Sequence, residues 1–294
     1  TSLGFPFLPP YLKVGRTPFP LRSTGVNFAV AGCTALDPSY LIRRGVISAT
    51  PLSLNVQIGW FKQMKRNTCN QHSGCEDHFS KALYVFGEIG ANDYLDATML
   101  LMPLSQIQSF TSPIIDNIHA ALEVIGDNKF VSKRKVALIQ QGAKNILVQG
   151  IPPLGCSPAV LTLLNPRSSD LDDNGCLRSY NQLSQNQNSL LQQTVQELST
   201  KYPKVALVYA DYYNIAMNIL NNPSKNGFEN TFETCCGSGG GKYNFNLLGM
   251  CGMNGNVEAC RDPSKFINWD GIHLTEATYK IAAESLLDLI PKSC

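Results

Sequence analysis

Leu83-Tyr84-Val85-Phe86 runs directly into Gly87-Glu88-Ile89-Gly90-Ala91-Asn92-Asp93-Tyr94. Four consecutive apolar residues, rather than an alternating pattern, suit a strand covered on both faces. The glycines that follow break the run and open a loop, and Asn-Asp is a natural turn pair. Covered strands that end in such loops build open parallel sheets, where reactive groups gather at the C-terminal ends of the strands.

Three further runs have the same character: Val26–Ala31 upstream, and Ile146–Val148 and Val205–Tyr209 downstream. Helical stripes lie between them. Leu54, Ile58, Phe61 and Met64 form one, and Leu183, Leu190, Leu191 and Leu198 another. A further helical pattern over Ile114–Ile125 takes in His119, read as structural. A last helix is expected from about Thr275, with its hydroxyl as N-cap, burying Ile281, Ala282, Leu286 and Ile290. Strands alternating with helices predict the α/β class: an open, three-layer parallel sheet with right-handed crossovers. Neither a repeat nor a linker is evident, so one domain is expected over residues 1–294.

The loops that end these strands are Ala31-Gly32-Cys33-Thr34, Gly87–Tyr94, Gly150-Ile-Pro-Pro-Leu-Gly-Cys156 and Ala210-Asp211-Tyr212. Two of them offer hydrogen-bond donors for a developing oxyanion, the Gly32 backbone N–H and the Asn92 amide. A glycine also lets backbone approach a ligand closely. Near the C-terminus, Trp269-Asp270-Gly271-Ile272-His273-Leu274-Thr275 sets an Asp three residues ahead of a His. The Asp can fix the imidazole tautomer, and the His can then move a proton between a nucleophile and a leaving group. No nucleophile motif accompanies the pair: neither Gly-Asp-Ser nor Gly-x-Ser-x-Gly occurs in the chain.

With 44% hydrophobic and 16% charged residues, the 294-residue chain can bury a large core. Its formal charge of +2 argues neither for nucleic acid nor for an acidic partner, and no nucleic-acid partner is expected. Asp127–Lys135 alone supplies +3, read as a solvated basic run, and the remainder is close to neutral. Ten cysteines without paired zinc spacing indicate disulfides and an oxidising compartment. Cys69 with Cys75, and Cys251 with Cys260, are the candidate bridges by proximity. There is no N-x-[ST] sequon, no metal site is expected, and no run is long enough to span a membrane. The chain opens at Thr1-Ser-Leu-Gly-Phe-Pro without a secretory leader, so a processed chain or one lacking its beginning is expected.

Six blocks together resemble the plant GDSL esterase/lipase family of SGNH hydrolases. They are Gly25-Val-Asn-Phe-Ala-Val-Ala-Gly32, Gly90-Ala-Asn-Asp93, Gly150-Ile-Pro-Pro-Leu-Gly-Cys156, Tyr209-Ala-Asp-Tyr212, Cys235-Cys-Gly237 and Trp269-Asp-Gly-Ile-His273. The resemblance implies a flavodoxin-like fold whose first strand is absent from this chain. It implies that His273 is the general base, Asp270 its orienting partner, and Gly32 and Asn92 the oxyanion donors. The nucleophile would be the Ser of a Gly-Asp-Ser block that this chain does not contain, so none is assigned. The resemblance also makes Gly126–Lys135 an insertion. It implies a cofactor-free carboxylesterase or lipase acting on small-metabolite or lipid esters, a monomer, secreted or vacuolar. A binding-only relative and an acyltransferase are the competing expectations. Without the first strand, two hydrogen-bond ladders would be broken, and low stability is expected unless another element fills the slot.

Other reactive side chains have simpler readings. Cys33, beside Gly32, is read as a small buried residue or a disulfide partner, not as a thiol nucleophile. His72 and His78 flank Cys75 in what is read as a disulfide-tied surface loop. Ser2, Ser23 and Ser157 lack any supporting motif.

Overall fold

Three of the four apolar runs are strands of one sheet. The computed structural model describes residues 4, 6–14, 25–123, 137–253 and 257–290. Strand β1 (Leu83–Phe86) pairs in parallel with β2 (Asn145–Gln149), and β2 pairs in parallel with β3 (Ala206–Ala210). The register sets Leu83 opposite Asn145 and Asn145 opposite Ala206. Ile146 and Val148 of the central strand are fully buried, as a continuous apolar run predicts. The expected α/β class with parallel strands therefore holds.

The upstream run does not hold as a strand. Val26–Ala31 is extended, but among the described residues its strand-like pairing is one bridge from Asn27 to Pro10, and its burial alternates instead of being continuous. Tyr11 donates its N–H to the Asn27 carbonyl at 2.8 Å, and Asn27 donates to Pro9 at 2.9 Å. Prolines have no N–H with which to extend a ladder, so the pairing stops there. Among the described residues no ladder reaches the second edge of β1, where Val85 is 60% exposed. Phe61 lies beside both segments, with ring centroids 6.0 Å from Phe28 and 5.4 Å from Tyr84. A ring as buried as Phe61 contributes about 1.5–3 kcal/mol relative to exposure.

The helical readings need smaller corrections. Leu54–Cys69 is a helix that buries Leu54, Phe61 and Met64. The long helix Arg178–Lys201 buries Leu183, Leu191 and Leu198, whereas Leu190 is exposed. His119 sits in the helix Thr111–Leu122 and ion-pairs with Glu123 at 3.5 Å when protonated. The last helix is Glu276–Leu287, capped by the Thr275 hydroxyl, which accepts from the Thr278 N–H at 3.3 Å. Of its expected apolar face only Ala282 is fully buried, and Ile281, Leu286 and Ile290 are half-buried. It packs with Tyr212 and Ile219 of the helix Tyr212–Asn221 in a second, smaller apolar cluster. No helix among the described residues is long and apolar enough to cross a membrane.

A second sheet was not legible in advance: β4 (Asn230–Thr234) pairs in parallel with β5 (Phe266–Asn268). Four disulfides join Cys69–Cys75, Cys156–Cys176, Cys235–Cys260 and Cys236–Cys251. The first matches expectation, and the expected Cys251–Cys260 bridge is wrong. Cys235 and Cys236 are consecutive at the end of extended β4, so their side chains diverge and take different partners. The basic run Asp127–Lys135 and the insertion read at Gly126–Lys135 fall outside the described residues, as do Ser2, Ser23 and Cys294.

Candidate active site

The turn after β5 places the Asp–His pair. Gly271 takes a left-handed φ of +91°, and a Cβ there would run into the Phe245 ring. Asp270 Oδ1 accepts the backbone N–H of Ile272 at 3.0 Å and of His273 at 2.8 Å. Its Oδ2 meets His273 Nδ1 at 2.7 Å. Both carboxylate oxygens are thus engaged, and the other imidazole nitrogen points away from Asp270. The pair precedes the last helix instead of opening it, since His273 lies in the bend before Thr275.

The turn is fastened from three sides. Trp269 donates its N–H to the His273 carbonyl at 2.9 Å. Cys235 donates to Asn268 at 3.0 Å and Cys236 to Trp269 at 2.7 Å, so the disulfide-bearing end of β4 backs the approach to Asp270. The Ser157 hydroxyl donates to the Gly271 carbonyl at 2.7 Å, and the Ala159 N–H donates to it at 3.0 Å. Ser157, unsupported by any motif, is therefore a clasp between the post-β2 loop and this turn. That loop is held in turn by the helix Arg178–Lys201. Asn181 accepts from Gly155, Ser184 from Leu154 and Asn188 from Ile151. The i, i+3, i+7 spacing of these residues puts them on one helical face, a polar stripe that the apolar pattern masked.

Gly32 and Asn92 come together, one at the end of the extended upstream run and the other in the first turn of the helix Ala91–Met99. Asn92 donates its amide to the Cys33 carbonyl at 2.8 Å, next to Gly32. This uses one of the amide's two N–H bonds. Asp93 is fully buried and accepts the N–H groups of Ala35 at 2.7 Å and Leu36 at 2.9 Å, which fixes the segment further. Gly32 has φ +73°, and a Cβ there would lie 2.8 Å from the Ala49 Cβ, so close packing alone also demands glycine. Cys33 is a buried free thiol that accepts from Gln57 at 2.7 Å. Burial, reinforced by the Asp93 charge, pushes it up to about 12, which rules against a thiolate nucleophile.

Electrostatics join the two halves. Burial acts to raise the Asp270 carboxyl, but the hydrogen bonds from the His273 ring and backbone outweigh it and hold it below 3.8. The hydrogen bond to Asp270 raises His273 above 6.5, against partial burial, with the Asp270 and Glu88 charges adding. Glu88, from the loop after β1, was not singled out by the sequence. Desolvation by the surrounding protein pushes its carboxyl up to about 7, while the His273 charge pulls it down. The Glu88 side chain is itself exposed in that loop.

These shifts give a signed prediction. The raised His273 stabilises the fold fully below 6.5, and that contribution is lost as pH rises through its folded value. The lowered Asp270 contributes above 3.8, and is lost as pH falls through its folded value. The stability difference between the parent chain and Asp270→Asn is therefore expected to be largest between pH 3.8 and 6.5 and to shrink above. Chemical denaturation across pH measures it. A difference that is the same well above pH 6.5 as below it would show that the pair is not coupled to folding.

Comparison with known proteins extends the description. The family model for GDSL-like lipase/acylhydrolase matches residues 3–286. GDSL esterase/lipase At1g28600 of Arabidopsis thaliana is 39% identical over 289 residues, 97% of this chain and 69% of that protein. GDSL esterase/lipase At5g45910 of the same plant is 40% identical over 290 residues, 97% of this chain and 74% of that protein. GDSL esterase/lipase At1g31550, also from Arabidopsis thaliana, is 40% identical over 287 residues.

Proposed function

This chain belongs to the GDSL-like lipase/acylhydrolase family, and from that premise we propose that it carries the acid–base half of a carboxylic ester hydrolase. In this reading His273 is the general base and Asp270 holds its tautomer. Gly32 and Asn92 donate to the oxyanion of the tetrahedral intermediate. A serine hydroxyl attacks the acyl carbonyl, His273 takes its proton and returns it to the departing alcohol, and water then releases the acyl group. The chemistry needs no cofactor. The observation that carries the reading is the 2.7 Å contact between Asp270 Oδ2 and His273 Nδ1, with the other carboxylate oxygen locked by two backbone N–H groups.

The nucleophile in this proposal lies outside these residues, on an extended segment that pairs with the free edge of β1. Such a segment would end beside the Gly87–Asn92 loop, next to the expected oxyanion donors. The substrate is a small-metabolite or lipid ester, and the working protein is a monomer of the secretory pathway, which suits four disulfides.

The test joins this chain to a segment bearing Gly-Asp-Ser and follows nitrophenyl acetate hydrolysis and covalent labelling by a fluorophosphonate. Hydrolysis and serine labelling by the joined polypeptide, both absent from the 294-residue chain, are expected. A folded joined polypeptide that neither labels nor hydrolyses would leave a binding role. Hydrolysis by the 294-residue chain alone, lost in His273→Ala, would place the nucleophile inside it.

A further inference from the structure

Gln187 is a fully buried amide within the long helix Arg178–Lys201, and its two polar atoms are served unequally. Its Nε2 donates to the Ile89 carbonyl at 3.1 Å, across 98 residues of chain. Its Oε1 is buried and accepts no hydrogen bond among the described residues. An amide with one bond made and one acceptor orphaned adds little net stability, and an apolar side chain of the same shape would fill the core as well. Glutamine is rarely buried outright, so its place here needs a reason other than packing.

What the amide touches supplies that reason. Gly90 has φ +104°, and a Cβ on it would lie 2.7 Å from Gln187 Nε2, 3.0 Å from Oε1 and 2.9 Å from Ile114 Cγ2. Gly90 thus rests directly on the Gln187 amide. It is also the N-cap of the helix Ala91–Met99, where it has no side chain to offer as a cap, and Asn92 is the second residue of that helix. The long helix holds the other side of the site as well. Asn188, next to Gln187, accepts the Ile151 N–H at 2.8 Å and donates to the Ile151 carbonyl at 2.9 Å, in the loop that carries Ser157 to Gly271. Adjacent side chains of one rigid helix therefore grip the loops after β1 and β2. We propose that Gln187 is a positioning residue for the oxyanion side of the cleft, tethering the Ile89–Gly90 turn so that the Asn92 amide keeps its place relative to the loop that clasps the His273 turn. The inference rests on reading Asn92 as an oxyanion donor, but its main test requires no turnover.

The test is Gln187→Met in the 294-residue chain, which keeps the unbranched shape and drops both the donor and the orphaned acceptor. Its denaturation midpoint is expected to stay nearly unchanged. The NMR signals of the Gly90 N–H and the Asn92 side-chain amide are expected to shift and broaden. The Ile151 and Gly155 N–H signals, held by Asn188 and Asn181 on the same helix, should stay put. In the joined polypeptide, kcat for nitrophenyl acetate is expected to fall by roughly 10- to 100-fold with KM unchanged. Unmoved Asn92 signals in folded Gln187→Met, or a disturbance reaching Ile151 and Gly155 equally, would make Gln187 an ordinary core residue and overturn the proposal. If Gln187→Met does not fold, hydrogen exchange in the parent chain decides. There the side-chain amides of Gln187 and Asn92 should open in one event, and separate opening overturns the proposal. A selective Asn92 response without ester hydrolysis in the joined polypeptide would uphold the tether and refute the hydrolase reading. Hydrolysis that depends on His273, with Asn92 unmoved in Gln187→Met, would do the reverse.

Discussion

His273→Ala is expected to lower kcat for a nitrophenyl ester by on the order of 10⁴- to 10⁶-fold in the polypeptide that includes the nucleophile. The loss is large because the imidazole performs both proton transfers, and neither water nor a neighbouring side chain can stand in at the same place. Asp270→Asn is expected to cost about 10⁴-fold, by releasing the ring into the wrong tautomer. An asparagine keeps one oxygen acceptor but exchanges the other for an N–H group. It then cannot both accept the Ile272 and His273 N–H groups and face Nδ1 as an acceptor. KM should change little in either variant, since neither group is expected to hold ground-state substrate more tightly than the transition state. Activity should rise with pH on an acid limb lying above 6.5, because the free base is the working form and its pairing with Asp270 raises it. Variants that retain more than about a tenth of parental kcat would assign the proton transfers elsewhere.

Much of this site could be read from the sequence because its central pair is local. An Asp three residues before a His, across a glycine, folds into its own turn through hydrogen bonds that span two or three residues. Strands β1, β2 and β3 were legible for a similar reason, since burial on both faces leaves a continuous apolar run. The same signature misled at Val26–Ala31, where composition is strand-like but the pairing among the described residues is one bridge beside prolines, with Pro9 and Tyr11 bonded to Asn27. Strands β4 and β5 gave no such signal, since Asn230–Thr234 has Phe232 as its one apolar residue and Phe266–Asn268 is a short apolar pair closed by Asn268. Ser157 was invisible because its partner lies far along the chain: Gly271 is 114 residues away. Only the stacking of loops at one edge of the sheet brings such groups together.

The disulfide pattern sets the second large expectation. Cys235 and Cys236 carry two bridges from adjacent positions and at the same time donate their N–H groups to Asn268 and Trp269, directly ahead of Asp270. The bridges therefore brace the strand that leads into the Asp270–His273 turn. In the chain-entropy account, a loop closed over a separation of 15 residues is worth about 3 kcal/mol, and one over 25 about 3.5 kcal/mol. Cys236→Ala with Cys251→Ala, and Cys235→Ala with Cys260→Ala, are each expected to destabilise by about 2–4 kcal/mol in denaturant unfolding. Each is also expected to broaden the His273 NMR signal while leaving His119, on its distant helix, sharp. Cys69→Ala with Cys75→Ala serves as the control, because that bridge closes a loop of separation 6 at an exposed helix junction. It should lower stability less and leave His273 unaltered. If the two classes of variant disturb His273 alike, the bracing argument fails, and the bridges at Cys235 and Cys236 act on global stability alone.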